Sequence, residues 1–251
     1  FSALPKKRQT LLFSATFSEA IRQMAGEMLK DPLSIEVSPR NAAAKSVKQW
    51  LIPVDKKRKP ELFLHLYQNR RWQQALVFVK TRKGVDELEA ELQRNGISAD
   101  SIHGDKPQAT RLRALQRFKA GEVLVLVATD VAARGLDIDD MPLVVNFDLP
   151  IVAEDYVHRI GRTGRAGMTG EAVSLVCADE VQLLSAIESL TGQLLKRVDE
   201  PDFIPDHRVP VTVAGGVVVK KPKKPKVKTV PGSGKGKIHL GNWFEESEAP
   251  K

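Results

Sequence analysis

Two stretches of the chain concentrate polar and charged side chains in patterns that could bind a phosphate group. Residues 129–137 place a threonine, two aspartates, an arginine and a glycine directly after an apolar run. Residues 156–165 hold three arginines, at 159, 162 and 165, interleaved with glycines. Arginine carries a permanent charge on planar donors that match phosphate oxygens, and glycine lets the backbone approach a ligand closely. Both stretches are therefore candidate sites for a phosphate or a ribose hydroxyl.

The spacing of the second stretch allows two interpretations. If a helix continues through it, His158, Arg162 and Arg165 lie on one face, ready to contact one ligand. A run of charges is more often a solvated helix face, and three arginines alone would fit that interpretation. The regular alternation of glycine and arginine weakens it.

The elements that must position these residues alternate between strands and helices. Apolar runs predict buried strands at 75–79, 98–102, 123–128, 143–147 and 172–176. Amphipathic patterns predict helices at 83–95, 107–119, 151–159 and 180–191, with Leu112, Leu115 and Phe118 facing the core in the second of them. Repeated units of this length predict an α/β fold, a parallel sheet with helices on both faces. Ligands in such folds gather at the carboxyl ends of the strands, where both candidate stretches lie.

The charge of the chain is concentrated near its C-terminus. The net charge is +8, yet residues 1–207 hold 29 basic and 28 acidic residues. Residues 208–244 hold nine basic residues and no acid, among many prolines and glycines. Such a segment buries too little apolar surface to fold, so we predict a disordered basic tail over 201–251. The tail is either a solubilising segment or an arm that binds phosphates without regard to sequence.

Composition restricts the class of protein. The hydrophobic and charged fractions, 42% and 28%, are typical of a globular protein, and no apolar run is long enough to span a bilayer. The one cysteine, Cys177, lies in an apolar run, which predicts a buried structural thiol and allows no disulfide within the chain. A reducing cytoplasmic location fits this pattern, although Phe1 suggests that the natural N-terminus is missing.

Five blocks, in order along the chain, resemble the motifs of DEAD-box ATP-dependent RNA helicases. Ser14-Ala15-Thr16 resembles motif III, and Val77 to Thr81 resembles motif IV. The pair His103-Gly104-Asp105 and Gln108-x-x-Arg111 resembles the RNA-contact elements that follow. The sequences ATDVAARGLD at 128–137 and HRIGRTGR at 158–165 match motifs V and VI. The chain is thus identified as a member of this family over residues 10–195, most similar to its bacterial RhlE-like branch.

The resemblance implies roles for the candidate residues in an ATP cleft between two RecA-like lobes. Arg162 and Arg165 resemble the arginine fingers directed at the γ-phosphate. Asp137, with Gly135 beside it, resembles the residue that binds the ATP ribose. His158 and Arg159 resemble residues that couple the lobes across the cleft, with Ser14, Ala15 and Thr16 as their counterparts. From the residues alone, Ser14 and Thr16 would be interpreted as a strand-end cap.

The resemblance also implies a surface for RNA, separate from the cleft. Its residues would contact the sugar–phosphate backbone rather than the bases. No row of exposed aromatic residues is evident, so we expect contacts that are not sequence-specific. The implied set is Thr81, Arg82, Gly104, Asp105, Arg111 and Thr129.

The sequence departs from the family at its start. It contains neither a phosphate-binding loop nor an Asp-Glu-Ala-Asp box for Mg²⁺, both of which belong to the first lobe in the family. We therefore expect residues 1–37 to form the last strands and helix of the first lobe. Residues 38–45 would be the linker, 46–200 the second lobe and 201–251 the tail. The Mg²⁺ ligands would lie outside this chain, and the chain alone would be inactive.

Two other functions compete with an RNA helicase. One is a DNA-directed motor built on the same lobe. The amino-acid sequences of motifs III and VI argue against it. The other is a non-enzymatic RNA-binding module, if the chain is the natural product. Ribosome-assembly or RNA-decay factors are possible partners of the helicase.

Overall fold

A parallel β-sheet with helices on both faces dominates the computed structural model. The structure describes residues 4–5, 7–14, 19–35, 47–70, 72–134, 138, 140–164, 170–213 and 217–219. Seven strands form the sheet in the order β3-β4-β2-β5-β6-β1-β7, and each neighbouring pair is parallel. The strands are β1 (Lys48–Pro53), β2 (Ala75–Phe78), β3 (Ala99–Ile102), β4 (Val125–Ala128), β5 (Leu143–Asn146), β6 (Glu171–Val176) and β7 (Lys196–Arg197).

Seven α-helices accompany the strands within the described residues. No helix among them is long and apolar enough to cross a membrane. The helices are α1 (Glu19–Met28), α2 (Lys59–Asn69), α3 (Arg82–Arg94), α4 (Gln108–Lys119), α5 (Asp130–Ala133), α6 (Ala153–Ile160) and α7 (Val181–Thr191).

Two apolar cores lie on opposite faces of the sheet. Side chains of β2 alternate between them, with Leu76 and Phe78 in one and Ala75 and Val77 in the other. Helices α2 and α3 cover the second core, whereas α4, α6 and α7 cover the first. Because both faces are covered, β2 and β4 are apolar throughout, as the sequence predicted, and β5 is apolar up to the buried Asn146. Cys177 is buried and free, and burial raises the pKa of its thiol.

The structure corrects three features of the sequence analysis in the body of the fold. Strands β1 and β7 and helix α2 were not predicted. Leu112 was expected in the core but is half exposed, because the buried stripe of α4 consists of Ala114, Leu115 and Phe118. Within residues 1–37 the expected helix is present as α1, but the described residues 7–14 and 29–35 form no strand. The expected linker, residues 38–45, lies outside the described residues.

The predicted tail, 201–251, begins at a residue that is still part of the ordered fold. Residues 198–213 form an ordered C-terminal strap in which Phe203 and Val209 are buried. The strap leads into an antiparallel pair, β8 (Val211–Val213) with β9 (Val217–Val219). Asp55 accepts hydrogen bonds from the backbone of Asp206 and His207, and these bonds lower its pKa. Residues 214–216 and 220–251 lie outside the described residues.

Candidate functional site

Four adjacent strands bring most of the predicted site residues to one edge of the sheet. Strands β3, β4, β2 and β5 are neighbours in that order and run parallel. Their carboxyl ends therefore lie side by side, and they lead into the turn at Gly104, the helix α5, the loop at Thr81 and the loop at Asp148. Two groups of side chains form at this edge.

Arg159 is the centre of the first group, and it is 2% exposed. Its Nε and Nη2 donate to the two carboxylate oxygens of Asp130, at 2.6 and 2.8 Å. Its Nη1 donates to Asn146 Oδ1 (3.0 Å) and to the carbonyl of Asp148 (2.7 Å). The guanidinium also lies over the Phe78 ring, 4.9 Å from the centroid. All three nitrogens are thus bound within the fold.

This geometry changes the interpretation of Arg159. The resemblance implied a residue that reaches across a cleft, but here the guanidinium is buried and its nitrogens are bound to partners in the same sheet edge. A buried cation needs such partners, because leaving it unpaired costs several kcal/mol. Arg159 therefore joins the start of α5 to α6 and orients both.

His158 lies next to Arg159 on α6 with one ring nitrogen lacking a partner. Its Nδ1 faces Asp155 Oδ1 at 3.6 Å, and Asp155 also forms an ion pair with Arg134. The Nε2 atom is buried and makes no hydrogen bond within the described part of the chain. A buried ring nitrogen without a partner is costly, so this atom is suited to a group that the described residues do not supply.

Arg162 does not continue the helix of His158. Helix α6 ends at Ile160, and the next residues turn so that Thr163 bridges to Met141. Gly164 then adopts a left-handed φ of 67°, which ends any helical continuation. The helix therefore ends where the sequence predicted, and the condition for a single helical face with His158 and Arg162 is not met. His158 and Arg162 nevertheless line one pocket.

That pocket has the composition expected of an anion site. We call it the cleft cluster, and its charged members comprise three arginines and two aspartates, which leaves one positive charge in excess before His158 is counted. The unpartnered Nε2 of His158 adds a polar atom to the same wall. These residues fit a phosphate group. The lining residues are Phe78, Asp130, Ala133, Arg134, Asp155, His158, Arg159 and Arg162.

The second group lies at the ends of β2, β3 and β4, and we call it the outer edge. Arg82 Nη1 donates to Asp105 Oδ1 at 2.5 Å, and both side chains are more than 60% exposed. The Thr81 hydroxyl accepts from the backbone of Gly84 and caps α3. The group consists of Thr81, Arg82, Gly104, Asp105, Arg111 and Thr129.

Arg111 and Thr129 complete the outer edge. Arg111 donates to Gln108 Oε1 (3.0 Å) and to the carbonyl of Ala132 on α5 (3.2 Å), so its guanidinium is oriented toward α5. Its Nε is buried without a partner among the described residues. Thr129 is nearly buried at the start of α5, and its side chain makes no capping bond.

Asp148 joins Arg159 to the backbone just before Thr81, and sequence reasoning missed it. Its Oδ2 accepts from the backbone N–H of Lys80, and its carbonyl accepts from Arg159. Its Oδ1 is 3.3 Å from the Nζ of Lys59, a buried lysine that also pairs with Glu180 at 2.7 Å. The signal that could have found it is the one used elsewhere, a polar residue directly after a buried strand.

Of six further predicted residues, the structure describes one. Ser14 is described, and it is partly buried in a segment without regular secondary structure. Ala15, Thr16, Gly135, Asp137 and Arg165 lie outside the described residues.

Comparison with known proteins supports the same family. Residues 58–167 match the family described as "Helicase conserved C-terminal domain". The chain is 43% identical over 200 residues to the DEAD-box ATP-dependent RNA helicase CshA of Geobacillus kaustophilus, covering 80% of this chain and 43% of that relative. The chain thus spans less than half the length of the curated relatives it matches.

Solved structures give the same result. The E. coli DEAD-box protein SrmB, bound to the regulator of ribonuclease activity A, is 38% identical, with a TM-score of 0.59 over 66% of this chain and 98% of that chain. Dbp5 of S. cerevisiae, bound to RNA and ADP BeF3, is 34% identical, with a TM-score of 0.71 over 79% of this chain and 53% of that one. The assignment to the RhlE-like branch stays a prediction, since the curated relative named above, CshA, bears another name.

The parallel sheet, the arginine-rich pocket at its carboxyl edge and these similarities agree, and the chain belongs to the DEAD-box helicase family, of which it carries the RecA-like helicase C-terminal domain.

Proposed function

We propose that this chain is the part of an ATP-dependent RNA helicase that supplies arginines to the ATP and half of the surface for RNA. The observation that carries the proposal is the division of one sheet edge into two groups with different chemistry. The cleft cluster is a partly enclosed cationic pocket, whereas the outer edge offers exposed hydroxyl, arginine and backbone groups. The relative of known structure bound to RNA and ADP BeF3 supports both assignments.

In the cleft cluster, Arg162 lines the pocket and would contact a phosphate there. With Arg165, it would stabilise the charge that develops as the γ-phosphoryl group is transferred. ATP supplies the phosphoanhydride bond whose cleavage drives the cycle. The Nε2 of His158 would bind a group from the first lobe, with Ser14, Ala15 and Thr16 as the coupling segment. Asp137 and Gly135 would bind the ribose, since a carboxylate accepts hydrogen bonds from hydroxyl groups.

Arg159 is proposed to act through its neighbours rather than on a ligand. It binds Asp130 on α5 and the loop at Asp148, and it belongs to α6 with His158. A shift of either helix would disturb this buried ion pair. Arg159 is therefore a positioning residue that fixes the cleft cluster relative to the start of α5, where Thr129 lies.

At the outer edge, Thr81, Arg82, Gly104, Asp105, Arg111 and Thr129 would bind the RNA backbone. Donors from hydroxyl, amide and guanidinium groups suit a sugar–phosphate strand and carry little base specificity. Asp105 neutralises part of Arg82 in the absence of RNA. The ion pair is exposed and therefore weak, so a phosphate can displace Asp105.

The remaining assignments follow from the family. Residues 1–37 would end a first RecA-like lobe, 38–45 would link the lobes, and the second lobe would extend from 46 through the C-terminal strap. Mg²⁺ would be bound by ligands in the first lobe. The protein would act in the cytoplasm, unwinding short RNA duplexes or remodelling RNA–protein complexes, with ribosome-assembly or RNA-decay factors as partners.

ATP hydrolysis tests the proposal. We define the two-lobed protein as this chain made continuous with the first lobe that the family implies. We expect ATP hydrolysis by the two-lobed protein to be stimulated by single-stranded RNA and not by DNA of equal length. The chain alone should show no stimulated hydrolysis. Equal stimulation by DNA would favour a DNA-directed motor, and turnover by the chain alone would contradict the division of the active site between two lobes.

A further inference from the structure

His103, at the end of β3, is a buried histidine with both ring nitrogens engaged. It is 4% exposed. Its Nε2 lies 2.9 Å from Asp86 Oδ1 on α3, and its Nδ1 accepts from the backbone N–H of Asp105 at 3.3 Å. His103 belongs to the block that resembles an RNA-contact element, but no role was given above to its side chain or to Asp86.

The two contacts specify one form of the ring. A backbone N–H can only donate, so Nδ1 must be the unprotonated nitrogen. A carboxylate can only accept, so Nε2 must carry the hydrogen. The contact with Asp86 therefore selects the neutral Nε2–H tautomer, and that tautomer is the one able to hold the N–H of Asp105.

The bond from Asp105 matters because of where this turn lies. Gly104 and Asp105 belong to the outer edge, and the Asp105 side chain binds Arg82. A side chain at Gly104 would lie 3.8 Å from the guanidinium of Arg82, so the turn and the arginine are close neighbours. Orienting the turn therefore orients the donors offered at this part of the edge.

Other charges around the dyad are already paired. Lys106 Nζ is 3.7 Å from Asp86 Oδ1, but its nearer partners are Glu89 (2.9 Å) and Ser101 (2.5 Å). Ser101 in turn donates to Glu89 at 2.6 Å. Lys106 is therefore held mainly by Glu89 and Ser101, and its longer contact reaches the same Asp86 oxygen that His103 contacts at 2.9 Å.

We propose that Asp86 and His103 form a positioning dyad that fixes the Gly104–Asp105 turn for binding the RNA backbone. The inference rests on the proposed RNA contact at the outer edge and adds to it two residues that touch no RNA themselves. Asp86 sets the tautomer of His103, and His103 holds the turn. The dyad acts on RNA affinity and not on the ATP cleft.

The test compares two acidic neighbours on α3. Asp86→Ala removes the acceptor of His103, whereas Glu87→Ala removes an equally charged, exposed residue that pairs with Lys83 at 3.5 Å. In the two-lobed protein, we expect Asp86→Ala to raise the RNA concentration for half-maximal ATPase stimulation about three- to tenfold, with kcat at saturating RNA changing by less than about twofold. Glu87→Ala should leave both values within about twofold. Asp86→Asn retains an acceptor oxygen and should restore most of the affinity.

A spectroscopic signature separates positioning from simple loss of structure. The chain has five histidines, so ¹⁵N-labelled histidine gives few ring signals. The wild-type chain should show one ring with a fixed unprotonated Nδ1 and protonated Nε2. Asp86→Ala should convert that ring to exchanging tautomers, and Asp86→Asn should keep it fixed.

Arg82→Ala separates a failure of the proposed dyad from a failure of the proposed RNA surface. If Arg82→Ala weakens RNA stimulation and Asp86→Ala behaves like Glu87→Ala, the dyad is wrong and the RNA surface stands. If Arg82→Ala and Arg111→Ala both leave half-maximal stimulation unchanged, the proposed RNA surface itself fails, and the dyad fails with it. A third outcome would also overturn the inference. Asp86→Ala would weaken binding, and Asp86→Asn would fold as stably as wild type without restoring the affinity. The hydrogen bond to His103 would then not be the cause.

Discussion

The cleft cluster and the outer edge use the same residue types in opposite environments. In the cleft cluster, Arg159 is buried and bound to Asp130 by two hydrogen bonds, beside an aromatic ring. At the outer edge, Arg82 binds Asp105 through one bond between two exposed side chains. A buried ion pair is rigid and costly to break, whereas an exposed pair contributes little and exchanges readily.

This difference agrees with the role proposed for each region. Stabilising a transition state requires groups that are already in place, so rigid burial of the supporting arginine is an advantage. Following a variable nucleic acid backbone requires charges that can leave their partners. Under the proposed function, the same arginine–aspartate pairing would serve as a fixed support in one region and as an exchangeable contact in the other.

The largest effect is expected at the cleft. In the two-lobed protein, Arg162→Ala or Arg165→Ala should lower kcat about 10²- to 10⁴-fold, because each removes a contact made to the transition state. RNA binding without nucleotide should be nearly unchanged. Arg94→Ala, an exposed arginine that pairs with Glu91 at the far end of α3, is the control. A loss of less than about threefold for both cleft variants would contradict their assignment.

Breaking the buried support should cost stability. Arg159→Met leaves Asp130 without its partner and should lower the free energy of unfolding by about 3–5 kcal/mol, measured by urea denaturation. Arg117→Met, which breaks a half-exposed pair with Asp100 (2.8 Å), should cost about 1 kcal/mol. Equal losses for the two variants would remove the distinction between a buried support and an exchangeable contact.

Raising the salt concentration should lower the affinity for RNA far more than it lowers kcat. If about five to seven cations of the predicted tail contact phosphates, they contribute about −3.5 to −5 to the slope of log affinity against log salt for single strands. Deleting residues 220–244 should flatten the slope by that amount, while kcat at saturating RNA persists. Binding titrations from low to moderate salt measure the slope, and ATP hydrolysis assays at saturating RNA measure kcat. An unchanged slope would leave the tail as a solubilising segment.

The smallest of these effects is expected for a single contact at the outer edge. Arg111→Ala should weaken RNA affinity about 10- to 100-fold, the range for one charge-assisted hydrogen bond. Fluorescence anisotropy with a short single-stranded RNA measures the change. Gln108→Ala, which removes one of the two groups that orient Arg111, should have a weaker effect of the same kind. Loss of kcat without loss of affinity would place Arg111 in the cleft instead.

Sequence patterns predicted the centre of the fold better than its margins. Continuous apolar runs such as β2 are long enough to identify, and their observed ends differ from the predicted ones by at most two residues. Strand β7 has two residues, Lys196 and Arg197, and no pattern could identify it. The strap was missed because its order depends on single anchors such as Phe203, in a segment whose composition resembles a tail.

The candidate site was predicted by residue type but not by role. The helix predicted over 151–159 ends within one residue of α6, before Arg162, yet spacing could not tell that Arg159 turns inward. That distinction depends on Asp130 and Asn146, which approach Arg159 only when β4 and β5 are both beside β2. Asp148 and Asp86 depend likewise on contacts between elements distant in sequence.

The most direct test of two separate regions is a pair of single variants and their combination in the two-lobed protein. We would measure kcat and the half-saturating RNA concentration for Arg162→Ala, Arg111→Ala and the double variant. The two-region account predicts that Arg162→Ala lowers kcat alone, that Arg111→Ala raises the half-saturating RNA concentration alone, and that the double variant shows both changes undiminished. If both single variants changed the same parameter, or if the double variant were no worse than either, the cleft cluster and the outer edge would be one site and the account would be contradicted.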